Sequence, residues 1–167
     1  MIDPVQFRDL LVIPTLDSME SVFPGASRPE AVHLVIGTAY HESLGGTYLK
    51  QVNGPALGVY QIEPDTHMDL HRHYMRYQSE ERQNFVNGKM IPNENANLVV
   101  NLRYATIICR LLYYRQSFEW PPLPEYHPGA REDYIRRLGR VWKEHFNTIH
   151  GAGTVEQFVD HFPREVL

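Results

Sequence analysis

Ser27-Arg28-Pro29-Glu30-Ala31-Val32-His33-Leu34-Val35-Ile36-Gly37-Thr38-Ala39-Tyr40-His41-Glu42-Ser43-Leu44-Gly45-Gly46 opens on helix-start residues and closes on two glycines. Ser27 reads as the N-cap, with Pro29 near the first helical turn, where its missing N–H has no intrahelical partner to lose. Ala31, Val32, Leu34, Val35, Ile36, Ala39 and Tyr40 surround the helix with apolar side chains, so the helix is buried. Leu44-Gly45-Gly46 ends it, since Gly supplies the left-handed residue after a helix terminus. Polar His41, Glu42 and Ser43 therefore sit on the last turn of a core helix.

Outward from that helix, Asp3 and Pro4 start an earlier one through Val5, Phe7, Leu10, Leu11 and Ile13, which Pro14 or the Pro24-Gly25 pair ends. Residues 1–26 read as a packing arm and 27–167 as the core of one domain. Asn53 to Pro64 combines turn signals with a few β-prone residues, as in a short strand or extended loop. Asp65-Thr66 caps a helix through Met68, Leu70 and Tyr74, and Pro92-Asn93-Glu94-Asn95 precedes a long apolar helix from Ala96 to about Tyr114. After the stiff Trp120-Pro121-Pro122-Leu123-Pro124 break, helical spacing returns from Asp133 to Phe146. Gly151-Ala152-Gly153-Thr154 caps a last short helix ending near Phe162-Pro163. The expected fold is mainly α, a single domain with at most a small β-hairpin or extended loop beside a cleft.

The chain has 167 residues, 43% hydrophobic and 22% charged, as an ordinary globular domain does. Sixteen Lys and Arg against twenty Asp and Glu leave a net charge of -4, without the basic surplus that nucleic-acid binding exploits. No apolar run approaches the ~20 residues needed to span a bilayer, so no membrane partner is expected. Asp3 stands where an export signal would be basic, and the chain is expected to be made without a signal peptide. Cys109, alone and within Ile107-Ile108-Cys109, reads as a small buried hydrophobe.

Glu42 is the first candidate for chemistry. A carboxyl at the buried end of an apolar helix is desolvated, which raises its pKa and keeps it protonated near neutrality, the state a general acid needs. His67 and His71, four apart on a helix, share a face and would bind Zn²⁺ with a third ligand such as Glu63. They lack the His-Glu-x-x-His pattern, and a solvated face is the favoured reading, with no metal or cofactor expected. Arg72, Arg76 and Arg82 read as solvated helical charges. Tyr104, Tyr113 and Trp142 recur at helical spacing and read as packing groups. Tyr48, Tyr60 and Tyr126 neighbour turns and are the cleft candidates, and the Trp120–Pro128 loop would cover one side of the groove.

Shortly after Glu42-Ser43-Leu44-Gly45-Gly46 comes Gly58-Val59-Tyr60-Gln61-Ile62-Glu63-Pro64. In this order and at this interval, the two segments resemble the paired signature of the lysozyme-like superfamily, particularly lytic transglycosylases of the soluble and goose-lysozyme type. Glu42-Ser43 matches the Glu-Ser at a helix end. Gly58, Gln61 and Ile62 match Gly-Leu-Met-Gln-Ile, with Val59 and Tyr60 replacing Leu and Met. The family's Ala-Tyr-Asn motif has its counterpart in His145-Phe146-Asn147-Thr148, with Phe146 in place of Tyr. Pro55 to His67, Asn101 to Thr106, Trp142 to Thr148 and Gly151 to Glu156 also resemble a group of tailed-phage proteins.

The resemblance implies cleavage of the bond between N-acetylmuramic acid and N-acetylglucosamine in peptidoglycan. Glu42 would protonate the glycosidic oxygen and then take the proton of the muramyl 6-hydroxyl, which closes a 1,6-anhydro ring. No second carboxylate is then required, unlike the usual two-carboxylate scheme. Ser43 would bond the saccharide or position Glu42, and Gly58 would admit the sugar closely. Tyr60 would offer its ring face, Gln61 would bond an N-acetyl group, and Asn147 would complete the subsite. Glu63, if it faces the cleft, would activate water and give hydrolysis, though a helix-start role is favoured for it. The implied partners are peptidoglycan glycan strands and the proteins of a phage tail or virion. The implied setting is a product of the host cytoplasm, carried in the virion, that acts on the periplasmic wall. The alternatives are a non-catalytic tail or neck component that keeps the fold, a hydrolytic lysozyme or endolysin, and a zinc-dependent hydrolase.

Overall fold

Asp3 caps the first helix, its side chain accepting from the Gln6 amide at 2.9 Å, in a computed structural model that describes residues 1–92, 95–147 and 152–167. Helix α1 (Pro4–Phe7) does not stop at Pro14. A π-turn over Arg8–Val12 leads directly into α2 (Ile13–Met19), with Pro14 in its first turn. In the wider turn the Ile13 amide reaches back five residues to the Arg8 carbonyl, which suits a following Pro14 that has no N–H and whose ring crowds the carbonyl of residue i−4 in a regular helix. Phe7, Val12, Leu16 and Met19 of this arm are buried. They join one apolar cluster that extends to Val166, so arm and core share a single interior.

Helix α3 (Pro29–Ser43) is buried nearly all round, as its composition requires. Arg28, not Ser27, stands at its N-cap, because the Ser27 amide and hydroxyl both donate to the Glu20 carboxylate. At the other end Leu44 itself turns left-handed (φ 50°), and the Gly45 amide reaches back to the Ala39 carbonyl at 3.2 Å.

Residues 47–63 form a loop pinned by two isolated antiparallel bridges, Lys50 with Leu57 and Leu57 with Ile62. Helix α4 (Pro64–His73) begins after Glu63 rather than at Asp65-Thr66, because Pro64 suits the first helical turn. A 3₁₀ turn (Met75–Tyr77) precedes α5 (Glu80–Asn87), whose Ser79 cap and sparse apolar pattern gave little periodicity to read. The long helix expected from Ala96 is two, α6 (Asn97–Val100) and α7 (Leu102–Tyr114). Asn101 separates them: its side chain accepts from the Tyr104 amide, and such local bonding ends one helix and starts another. Helix α8 (Ala130–Trp142) continues into a π-turn over Lys143–Asn147. Thr154 and Gln157 form a capping box for α9 (Val155–His161). Asn93, Glu94, Thr148 and Gly151, which also entered the sequence-based expectations, lie outside the described residues.

The chain is mainly α, and among the described residues the two bridges are the only β pairing. Helices α7, α8 and α9 pack around α3. Cys109 is buried as expected. Among the described residues no helix is long and apolar enough to cross a membrane.

Candidate active site

The last turn of α3 carries Glu42, and the last residue of α8 is Trp142. The Trp142 indole Nε1 donates to Glu42 Oε1 at 2.9 Å. Burial pushes the Glu42 carboxyl up to about 7, and the indole N–H, which favours the carboxylate, opposes part of that rise. An indole can only donate, so Oε1 is the acceptor and the proton of the neutral acid belongs on Oε2.

Trp142 is itself tightly held. Phe158 stacks on it at 5.5 Å, and the His41 ring meets it edge-on at 4.2 Å. Gly153 covers the indole so closely that a Cβ there would lie 2.7 Å from a ring carbon. Burial, with the nearby His161, lowers the His41 pKa to about 4, so at neutral pH His41 puts no positive charge beside Glu42.

Glu42 lines a cavity of about 340 Å³ together with Gln51, Gln61, Glu63, Phe146 and Asn147. Gln61 has a left-handed backbone (φ 46°), and its Nε2 donates to the Gly58 carbonyl at 2.7 Å and to the Tyr48 carbonyl at 3.2 Å. The amide nitrogen thus fixes its own loop, and the side-chain carbonyl is the group available to a ligand. Phe146 stacks on Tyr113 at 5.5 Å, while Asn147 accepts from Lys143 Nζ at 2.9 Å. Glu63 is exposed, caps α4 by position without a side-chain bond, and shares the cavity with Glu42.

Three expected ligand contacts are corrected, those of Tyr60, Ser43 and Gly58, and for Ser43 the alternative of positioning Glu42 is left. Tyr60 is fully buried and its hydroxyl pairs with Thr106 Oγ1 at 2.9 Å, so it presents no ring to a cleft. Ser43 is buried too. Its hydroxyl donates to the Val59 carbonyl at 2.7 Å and accepts from the Gly46 amide at 2.8 Å, tying the end of α3 to the Gln61 loop. At Gly58 (φ 74°), a Cβ would stand 1.8 Å from the Leu98 carbonyl oxygen, so its close approach is to the chain's own backbone rather than to a ligand.

The Trp120–Pro128 loop does not border this cavity. Tyr126 and Leu123 line a separate one with His33, and Trp120 packs against Phe118. The face shared by His67 and His71 is inward: both Nε2 atoms meet the Tyr104 hydroxyl, at 2.7 and 2.9 Å. Among the described residues no group of three or more His, Cys, Asp or Glu is placed to hold a metal ion.

Trp142 is the site residue that sequence reasoning missed. Its helical spacing marks it as core, yet a buried indole N–H needs an acceptor, and a partner search among acids would have reached Glu42. Searched against protein-family models, curated proteins and solved structures, the chain matches none.

Proposed function

We propose that this chain is a peptidoglycan lytic transglycosylase with a lysozyme-like site, in which Glu42 is both acid and base. The observation that carries this is a neutral-range carboxyl, half-buried and held by Trp142 beside a polar cavity. Glu42 Oε2 gives its proton to the glycosidic oxygen, the bond to the muramyl anomeric carbon breaks, and the carboxylate that remains takes the proton of the 6-hydroxyl. That oxygen then bonds to the anomeric carbon, which closes the anhydro ring and restores the acid. The Gln61 side-chain carbonyl and Asn147 bind the sugar's amide and hydroxyl groups. Phe146 supplies an apolar wall.

Glu63 favours a second reading, hydrolysis. Its carboxylate shares the cavity, and an inverting pair needs about 6.5–9.5 Å between carboxyl groups to seat a water. Delivery within a phage virion to the periplasmic wall rests on the sequence resemblance. Zymography on purified peptidoglycan is the test. Clearing by the wild type that Glu42→Gln abolishes supports the proposal, and equal clearing by both removes Glu42 from the mechanism. A folded chain that clears nothing, yet assembles into particles, is a structural component.

A further inference from the structure

The sequence contains the same tripeptide twice, Val52-Asn53-Gly54 and Val86-Asn87-Gly88, and both asparagines are exposed. Glycine has no Cβ to shield its amide nitrogen, so that nitrogen is free to approach the side-chain carbonyl carbon of the asparagine before it. Local sequence and exposure treat the two pairs alike. Their backbones do not.

Asn53 stands at the tip of the loop between α3 and α4, beyond the 2.9 Å bond from the Gln51 amide to the Ala56 carbonyl. The Gly54 amide donates to the Gln51 carbonyl at 3.4 Å, well beyond the usual length of about 3 Å, so it is held weakly. Asn53 takes the third position of that turn with φ 59°, a left-handed conformation that Asn tolerates. Pro55 follows and has no N–H with which to anchor the chain. Asn87 instead ends α5. The Gly88 amide donates to the Asn84 carbonyl at 2.9 Å and the Lys89 amide to the Val86 carbonyl at 3.1 Å. Closing a ring between Asn87 and Gly88 would first break that last helical turn.

We propose that Asn53-Gly54 is a self-modification site, which in the folded protein passes through a succinimide to aspartyl and isoaspartyl forms, while Asn87-Gly88 stays intact. The Gly54 nitrogen attacks Asn53 Cγ, the Cγ–Nδ2 bond breaks, and the amide proton leaves with Nδ2 as ammonia. Water then opens the imide. Cleavage of the new N–Cγ bond leaves an aspartyl residue, and cleavage at the main-chain carbonyl leaves an isoaspartyl one, joined to Gly54 through Cγ. Either product carries a carboxylate that is ionised at neutral pH, and the second adds a methylene to the main chain. Gln51 of the same turn lines the cavity with Glu42, so the change falls on a segment of the cavity wall. The step itself is independent of any reaction at Glu42.

Ageing the intact protein in mildly alkaline water enriched in heavy oxygen, followed by digestion and peptide mapping by mass spectrometry, tests this. Heavy oxygen should enter at Asn53, as its amide group is lost, at least about tenfold faster than at Asn87, whose helix end must open first. Ageing in urea should bring the two pairs to similar rates, because only the folded backbone distinguishes identical tripeptides. Asn53→Asp supplies the reference aspartyl peptide, from which the isoaspartyl peptide of equal mass separates on elution. Similar rates at the two pairs in the folded protein, or an Asn53 that reacts only in urea, overturn the proposal.

Discussion

Trp142 Nε1 and Glu42 Oε1, 100 positions apart in sequence, meet in a 2.9 Å hydrogen bond at the end of α3. The contact settles which oxygen holds the proton and moderates how far burial raises the carboxyl. Trp142→Phe keeps a ring but deletes the donor. The alkaline limb of the pH–activity profile should then move to higher pH, while the maximum rate falls roughly tenfold, the equivalent of about 1.4 kcal/mol. A limb that stays in place would show that the indole only packs.

Glu42 should also weaken the fold that carries it. Its carboxyl titrates at about 7 in the folded protein against a usual 4.5, so between those values the folded state binds more protons than the unfolded chain. Stability is therefore lost as pH rises through that window. Glu42→Gln removes this titration and should stabilise the protein at pH 8 by up to about 3 kcal/mol, with little change at pH 4. Denaturant unfolding at the two pH values checks both sign and window.

Gly58→Ala should fail as a fold rather than as a binding site. The added methyl meets the Leu98 carbonyl oxygen and the backbone is left-handed, so a loss of at least about 3 kcal/mol is expected in thermal or urea unfolding. A stable variant with only a raised KM would return Gly58 to the ligand.

Tyr60→Phe separates packing from sugar contact in the same way. Thr106 Oγ1 keeps its bond to the Leu102 carbonyl, so losing the tyrosine hydroxyl should cost about 1 kcal/mol of stability and leave KM unchanged. A KM effect without a stability effect would contradict the buried placement.

The sequence disclosed most where one residue type had one physical use. An all-round apolar helix had to be buried, and a Glu on its last turn had to be desolvated. It disclosed least where the partner lay far along the chain. Trp142 looked like core at helical spacing, and only the fold brings its N–H to Glu42. Gly58 signalled a close approach without saying to what, and the answer is the Leu98 backbone. Tyr60 sits in a turn-rich stretch that suggests exposure, yet Phe7 at 6.5 Å and the Thr106 hydroxyl hold it inside. Asn101 split an expected helix because its amide competes for backbone donors, an effect no apolar period records.

Mass spectrometry of the soluble fragments released from purified peptidoglycan tests the proposed reaction most directly. The account predicts 1,6-anhydromuramyl ends from the wild type, the same ends from Glu63→Gln, and no fragments from Glu42→Gln. Reducing muramyl ends that disappear in Glu63→Gln would contradict it and make Glu63 the base of a hydrolase.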